Sequence, residues 1–163
     1  MKGIYLLLGS NLGDRQSLLL SAIKHIEERI GKIVQASSIY STKAWGMEDQ
    51  PDFLNQVIEL ESRLDPRTIL RHAIEIESIL GRKRYNKWGS RIIDIDLLYY
   101  GDLVLESKDL VVPHAENENR NFVLVPMVEV APEFIHPKLQ KTQRELLVNC
   151  PDVLEVTLFD QGK

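Results

Sequence analysis

The order of hydrophobic periods constrains this chain more than any other feature. Residues 3–8 are a short apolar run that ends in Gly9-Ser10-Asn11, which reads as a strand and a turn. Over residues 14–30 the period changes. Leu19, Ala22, Ile23, Ile26 and Ile30 recur at helical spacing, and Gly31 is placed to stop the helix. Residues 33–40 read as a second strand, rich in β-branched side chains. Residues 53–60 read as a third, with Leu54, Gln56, Ile58 and Leu60 on one face and Phe53, Asn55, Val57 and Glu59 on the other. Asp65-Pro66 joins an N-cap to a proline at the first helical position. It opens a helix to Leu80, with Ile69, Leu70, Ala73, Ile76 and Leu80 on its apolar stripe. Residues 92–100 read as a fourth strand. The order β-α-β-β-α-β, with antiparallel neighbours and helices on one face, is a ferredoxin-like α+β core. A C-terminal extension follows: a hairpin return at 103–105 with an extended piece at 110–112, helices near 117–125 and 142–149, and a strand at 153–159.

Composition sets the class. The chain has 163 residues, 44% of them hydrophobic, which is too apolar for disorder and ordinary for one globular domain over residues 1–163. The N-terminal apolar run, residues 4–8, is shorter than a secretory or membrane-spanning segment needs, so a cytoplasmic location and no membrane partner are expected. A lone cysteine, Cys150, makes neither an internal disulfide nor a cysteine-based zinc cage. The net charge of −4 argues against a nucleic-acid coat protein. Read locally, charge says more. Residues 82–91, RKRYNKWGSR, carry Arg82, Lys83, Arg84, Lys87 and Arg91 and no acid, which leaves −4 − 5 = −9 on the remainder. A basic island in an acidic chain fits a solvated loop or a small polyanion such as a nucleotide phosphate tail.

The sharpest chemical signal is Asp94-Ile95-Asp96. In a strand, residues i and i+2 share a face, so both carboxylates point one way while Ile93, Ile95 and Leu97 point to the core. Their Cα atoms would lie ~6.6 Å apart at normal strand rise. Two acids that close repel unless cations neutralise them. Magnesium, hard and oxygen-loving, is commonly held by one or two carboxylates together with substrate phosphates. The alternative is an edge strand with two solvated acids. The basic island ending at Arg91 favours the metal reading, because arginine forks and metal-binding carboxylates are the parts that grip a triphosphate.

Other features are weaker taken singly. Gly9-Ser10-Asn11-Leu12-Gly13 sits between a strand and a helix but lacks the lysine of a phosphate loop. His114 closes an extended segment shortly before Arg120, whereas His25 and His72 fall on helices and His136 precedes a proline. Trp88 lies inside the basic island, either as a packing anchor or as a lid over a planar ligand. The connection over residues 41–52 is long enough to be functional.

Taken jointly, these motifs resemble the 6-hydroxymethyl-7,8-dihydropterin pyrophosphokinase family over almost the whole chain. The likeness rests on Gly9-Ser10-Asn11, Asp49-Gln50-Pro51-Asp52-Phe53-Leu54-Asn55, Arg82 with Arg84, and Trp88-Gly89-Ser90-Arg91-Ile92-Ile93-Asp94-Ile95-Asp96. It continues through Val112-Pro113-His114 and Arg120-Asn121-Phe122-Val123-Leu124. The resemblance implies a ferredoxin-like fold and pyrophosphoryl transfer from ATP to a reduced pterin in folate biosynthesis. It implies that Asp94 and Asp96 hold two magnesium ions, and that Arg82 and Arg91 contact the triphosphate. Arg84 and Trp88 would lie on a loop that closes over the site. Glu77, Leu97, His114 and Arg120 would serve the nucleotide. Thr42 and Asn55 would serve the pterin, with Phe53 and Phe122 sandwiching it. The expected partners are small molecules, with the chain acting as a monomer.

Lys43-Ala44-Trp45, Phe53, Ser90 and Ala115 depart from the family's usual residues, and none of these changes removes a charge the chemistry needs. Two rivals make distinct predictions. A nucleotidyltransferase would carry its acid pair soon after the Gly-Ser turn, whereas Ser10 and Asp94 here are 84 positions apart. An RNA-binding module of the same fold would show a basic-Gly-aromatic run in a central strand, and none is present.

Overall fold

A computed structural model describes residues 3–43, 52–81 and 92–159. Its centre is an antiparallel sheet. Strand β1 (Ile4–Ser10) lies between β4 (Phe53–Glu61) and β5 (Asp94–Tyr100), and β4 pairs further with β2 (Lys32–Ala36) and β3 (Tyr40–Thr42). Strand β8 (Val156–Leu158) adds to β3 at the far edge, while β6 (Leu105–Glu106) and β7 (Val111–Val112) make a separate hairpin. The order β5-β1-β4 continuing into β2 and β3, all antiparallel, is the expected ferredoxin-like core with its C-terminal extension.

Helices α1 (Arg15–Arg29) and α2 (Pro66–Ile79) cover one face. Each is started by an aspartate at its N-cap: Asp14 accepts from the Ser17 N–H at 3.2 Å, and Asp65 from the Thr68 N–H at 2.9 Å. Their stripes, including Leu19, Ile26, Ile69 and Ile76, close a core with Leu6, Leu8, Ile58 and Ile95 in which every one of these side chains is buried. Each buried aliphatic side chain contributes roughly 1.5–3 kcal/mol.

The opposite face carries a second core. Helix α3 (Asn121–Val130) lays Val123 and Met127 on Tyr5, Leu7, Val57, Leu98 and Tyr99. The Phe134 ring meets Tyr5 and Tyr99 edge-on, at 4.9 Å from each ring centre. Helix α4 (Gln143–Val148) opens with a reciprocal capping box between Thr142 and Glu145. Because α3 covers only part of this face, the ends of β1, β4 and β5 nearest Ser10, Phe53 and Asp94 stay open. The site lies there.

Three local readings differ from expectation. The second strand is broken in two. Between Ala36 and Tyr40 the ladder to β4 is interrupted, and the Ser37 hydroxyl accepts the Val57 N–H at 3.0 Å in place of a backbone carbonyl. The helix expected over 117–125 is a 3-10 turn at Asn117–Asn119, an extended Arg120, and then α3, which runs through Pro126 because Met127 beyond it is held in the second core. Gly31 is needed for space rather than as a left-handed cap. A Cβ there would lie 2.3 Å from the Glu61 carbonyl oxygen.

Candidate active site

The site is built from alternation. On β1, Leu7 and Gly9 face the open half of the second face. Their cross-strand partners there are Asp96 and Asp94 on β5, and Val57 and Asn55 on β4. One row across the sheet therefore reads Asn55, Gly9, Asp94. Phe53 lies further along β4, and Thr42 is its partner on β3. The two aspartates share this face and are half-buried, while Ile95 between them is buried in the helical core.

Gly9 explains how Asn55 reaches its position. A Cβ on Gly9 would stand 2.8 Å from Asn55 Oδ1, so the carboxamide occupies the space a side chain would take. Ser10, buried at the end of β1, donates its hydroxyl to the Ile92 carbonyl and so ties the start of β5 to β1, two residues before Asp94.

Arg120 comes from the far wall. Its Cζ sits 4.8 Å from the Phe122 ring centre, and its Nη2 lies 3.3 Å from His114 Nδ1. The His114–Asn117 loop is fastened to β5 at one point, where the Leu98 carbonyl accepts from the His114 N–H at 3.0 Å and from the Asn117 side-chain amide at 2.9 Å. His114 Nδ1 also receives the Glu116 N–H at 3.4 Å, so its proton belongs on Nε2. Burial, and next the Arg120 charge, push the His114 imidazole down to about 4, against the opposing pull of Asp94 and Glu116. Burial also draws the Arg120 guanidinium below its usual range, opposed by Asp96, Glu116, Asp94 and Asp152. A guanidinium stays charged regardless.

These groups surround a cleft of about 830 Å³. Leu7, Gly9, Asn55, Phe53, Asp94 and Asp96 form its floor, Thr42 and Lys43 one side, and Glu116, Asn119, Arg120 and Phe122 the other. Pro151, Asp152, Val153 and Leu154 close the rim. Two buried polar atoms of its lining residues, Thr42 Oγ1 and Arg120 Nε, have no hydrogen-bond partner among the described residues. Buried polar atoms in that state call for a ligand or water.

The structure thus brings together Thr42, Phe53, Asn55, Asp94, Asp96, Arg120 and Phe122 around one cleft, with His114 against Arg120. Glu77 and Leu97 lie elsewhere. Glu77 is buried, and its Oε2 accepts the Ile95 N–H at 2.8 Å from outside the sheet. By strand alternation, Leu97 turns its backbone groups to that same outer edge while its side chain enters the helical core. Both therefore sit at the margin of β5 rather than in the cleft. Arg82, Arg84, Trp88 and Arg91 lie outside the described residues, as do residues 49–51 of the motif before Phe53. Sequence reasoning missed Gly9 as a space-maker and missed the 151–154 rim. Asp152 carries no local signal, since long-range contacts, the pairing of β8 with β3 and the bond from the Asn121 N–H, bring it here.

Among the described residues no group of three or more His, Cys, Asp or Glu side chains converges as a metal cage. The Asp94–Asp96 pair is a hard, all-oxygen, half-open donor set. It suits magnesium that takes its remaining ligands from phosphate and water.

Comparison with known proteins follows the same line. The family profile described as 7,8-dihydro-6-hydroxymethylpterin-pyrophosphokinase matches residues 5–132. The chain is 44% identical over 145 residues to the 2-amino-4-hydroxy-6-hydroxymethyldihydropteridine pyrophosphokinase of Aquifex aeolicus, covering 89% of this chain and 90% of that one. It is 38% identical over 137 residues to the Haemophilus influenzae protein of the same name, covering 83% and 86%. Among solved structures, a Plasmodium falciparum HPPK-DHPS wild type with SDX-DHP superimposes with a TM-score of 0.70 at 19% identity, over 91% of this chain. The chain spans 43% of that larger protein, so this likeness speaks to the fold alone.

Proposed function

The chain belongs to the 7,8-dihydro-6-hydroxymethylpterin-pyrophosphokinase family, and on that premise we propose that it transfers the pyrophosphoryl group of ATP to the hydroxymethyl oxygen of 6-hydroxymethyl-7,8-dihydropterin and releases AMP. Its activity is that of a pyrophosphokinase in folate biosynthesis. The observation that carries the assignment of roles is the shared floor. Asn55 and Phe53 stand on one side of Gly9 and the Asp94–Asp96 pair on the other, so an acceptor and a polyphosphate held there would meet.

In this reading the pterin ring lies between Phe53 and Phe122, its polar edge against Asn55 and the Thr42 hydroxyl. That orientation aims the hydroxymethyl oxygen along the floor toward the aspartates. Asp94 and Asp96 would hold two magnesium ions, which when bound supply neutralisation of the polyphosphate charge. The hydroxymethyl oxygen forms a bond to the β-phosphorus and releases its proton to water, the bond from that phosphorus to the α-phosphate oxygen breaks, and AMP departs. Such transfers depend on positioning and charge compensation more than on covalent help. Arg120 supplies a fixed positive charge from the far wall. His114, kept neutral by burial and by its donors at Nδ1, offers an Nε2–H rather than a second charge. Arg82 and Arg91, outside the described residues, would add positive charge for the triphosphate, and Arg84 and Trp88 would serve the nucleotide. Glu77 and Leu97 at the outer edge of β5 serve the nucleotide. Residues 1–163 would work as a single pyrophosphokinase domain and as a monomer.

The test is product analysis. With ATP, magnesium and the pterin, AMP should accumulate in step with pterin consumption. Release of inorganic pyrophosphate with an adenylated product would instead assign a nucleotidyltransferase.

A further inference from the structure

Helix α3 begins without a cap of its own. Arg120, the residue before it, makes no side-chain cap hydrogen bond. The cap comes from 31 residues away: Asp152 Oδ2 accepts the Asn121 N–H at 2.9 Å, while Oδ1 accepts the Leu154 N–H at 2.9 Å. Asn121 answers with its side-chain amide, which donates to the carbonyls of Asp152 at 3.1 Å and Leu154 at 3.3 Å. A carboxylate at a helix N-terminus is favoured by the helix dipole as well as by the bond. This reciprocal latch grips the backbone between the two groups that form the far wall, Arg120 and Phe122, which also stack on one another. It holds the rim segment containing Asp152 in the same stroke.

We propose that Asp152 is a positioning residue for the pterin side of the cleft: it caps α3 from the C-terminal segment and thereby fixes the Phe122 ring against the ligand. The inference rests on the function proposed above. It predicts a specific asymmetry. Losing the latch frees the first turn of α3, so the ring loses its fixed plane, whereas Arg120 keeps its separate contact with His114 Nδ1 and the floor carboxylates on β5 are untouched.

Steady-state kinetics of the wild type, D152A, D152N, F122A and the D152A/F122A double variant test it. D152A should raise the pterin KM about tenfold, with the ATP KM within about twofold and kcat within about threefold. D152N keeps one oxygen for the Asn121 N–H and should recover most of the loss. On the F122A background, D152A should add less than about twofold, since its effect runs through the ring. Where D152A does not fold, N121P reads the same bond. Arg120 already has φ −130° and ψ 116°, which suit a following proline, and the first helical position tolerates one. N121P should give the same rise in pterin KM. An unchanged pterin KM, an equal rise in ATP KM, or additivity with F122A would overturn the latch alone. Absence of AMP from the wild type would overturn the function, and the latch with it.

Discussion

At the scale of single residues, Gly9 and the Asp94–Asp96 pair decide most of the site. Period-2 alternation over residues 93–97 was enough to place both acids on one face; it breaks at Leu98, an extra residue in the ladder to β1 that puts Leu98 and Tyr99 together in the second core. The role of Gly9 was not legible, since the reason for it is the Asn55 carboxamide on a strand more than forty residues away. Gly9→Ala should therefore act on the acceptor. The new methyl displaces Asn55, and the pterin KM should rise about tenfold with the ATP KM nearly unchanged, as read by initial rates with each substrate varied. Asp96→Asn should lower kcat by about 10²–10³-fold, the scale of losing one charge-organising group, with an unaltered far-UV circular dichroism spectrum. An inactive variant with a lost spectrum would point to folding instead.

At the scale of elements, α1, α2, β1, β4 and β5 were legible because each is a periodic stretch or an unbroken apolar run between clear stops. Two elements were not. The second strand is split where the Ser37 hydroxyl substitutes for a backbone acceptor, a choice that depends on its partner strand. Helix α3 starts at Asn121 rather than near 117, at the point where Asp152 supplies its cap. It also outlasts Pro126, because burial of Met127 outweighs one missing N–H. Gly31 makes the junction of α1 and β2 a close approach to Glu61. Gly31→Ala should cost about 1–3 kcal/mol in urea denaturation, as overpacking does, with little change in KM for either substrate.

At the scale of the whole molecule, a sheet packed on both faces leaves one open end, and the charged groups gather there. Its pH response follows from two histidines held neutral by burial. His114 is pushed down to about 4, and His136, whose Nδ1 accepts the Lys138 and Leu139 N–H groups, is also pushed down. An unfolded chain protonates both near the ordinary histidine value of about 6.5. Stability from His114 is thus fully present above that value and is lost as pH falls through 6.5 toward 4. The Tm should drop over that window, and His114→Gln should flatten part of the drop. An identical slope in the variant would contradict the assignment. The reaction is defined by which bond of ATP breaks. ATP labelled at its γ-phosphorus, incubated with magnesium and hydroxymethyldihydropterin, follows that bond directly. Label should appear in the pterin product beside unlabelled AMP in equal amount; label in free pyrophosphate, with an adenylyl group attached to the pterin, would contradict pyrophosphoryl transfer.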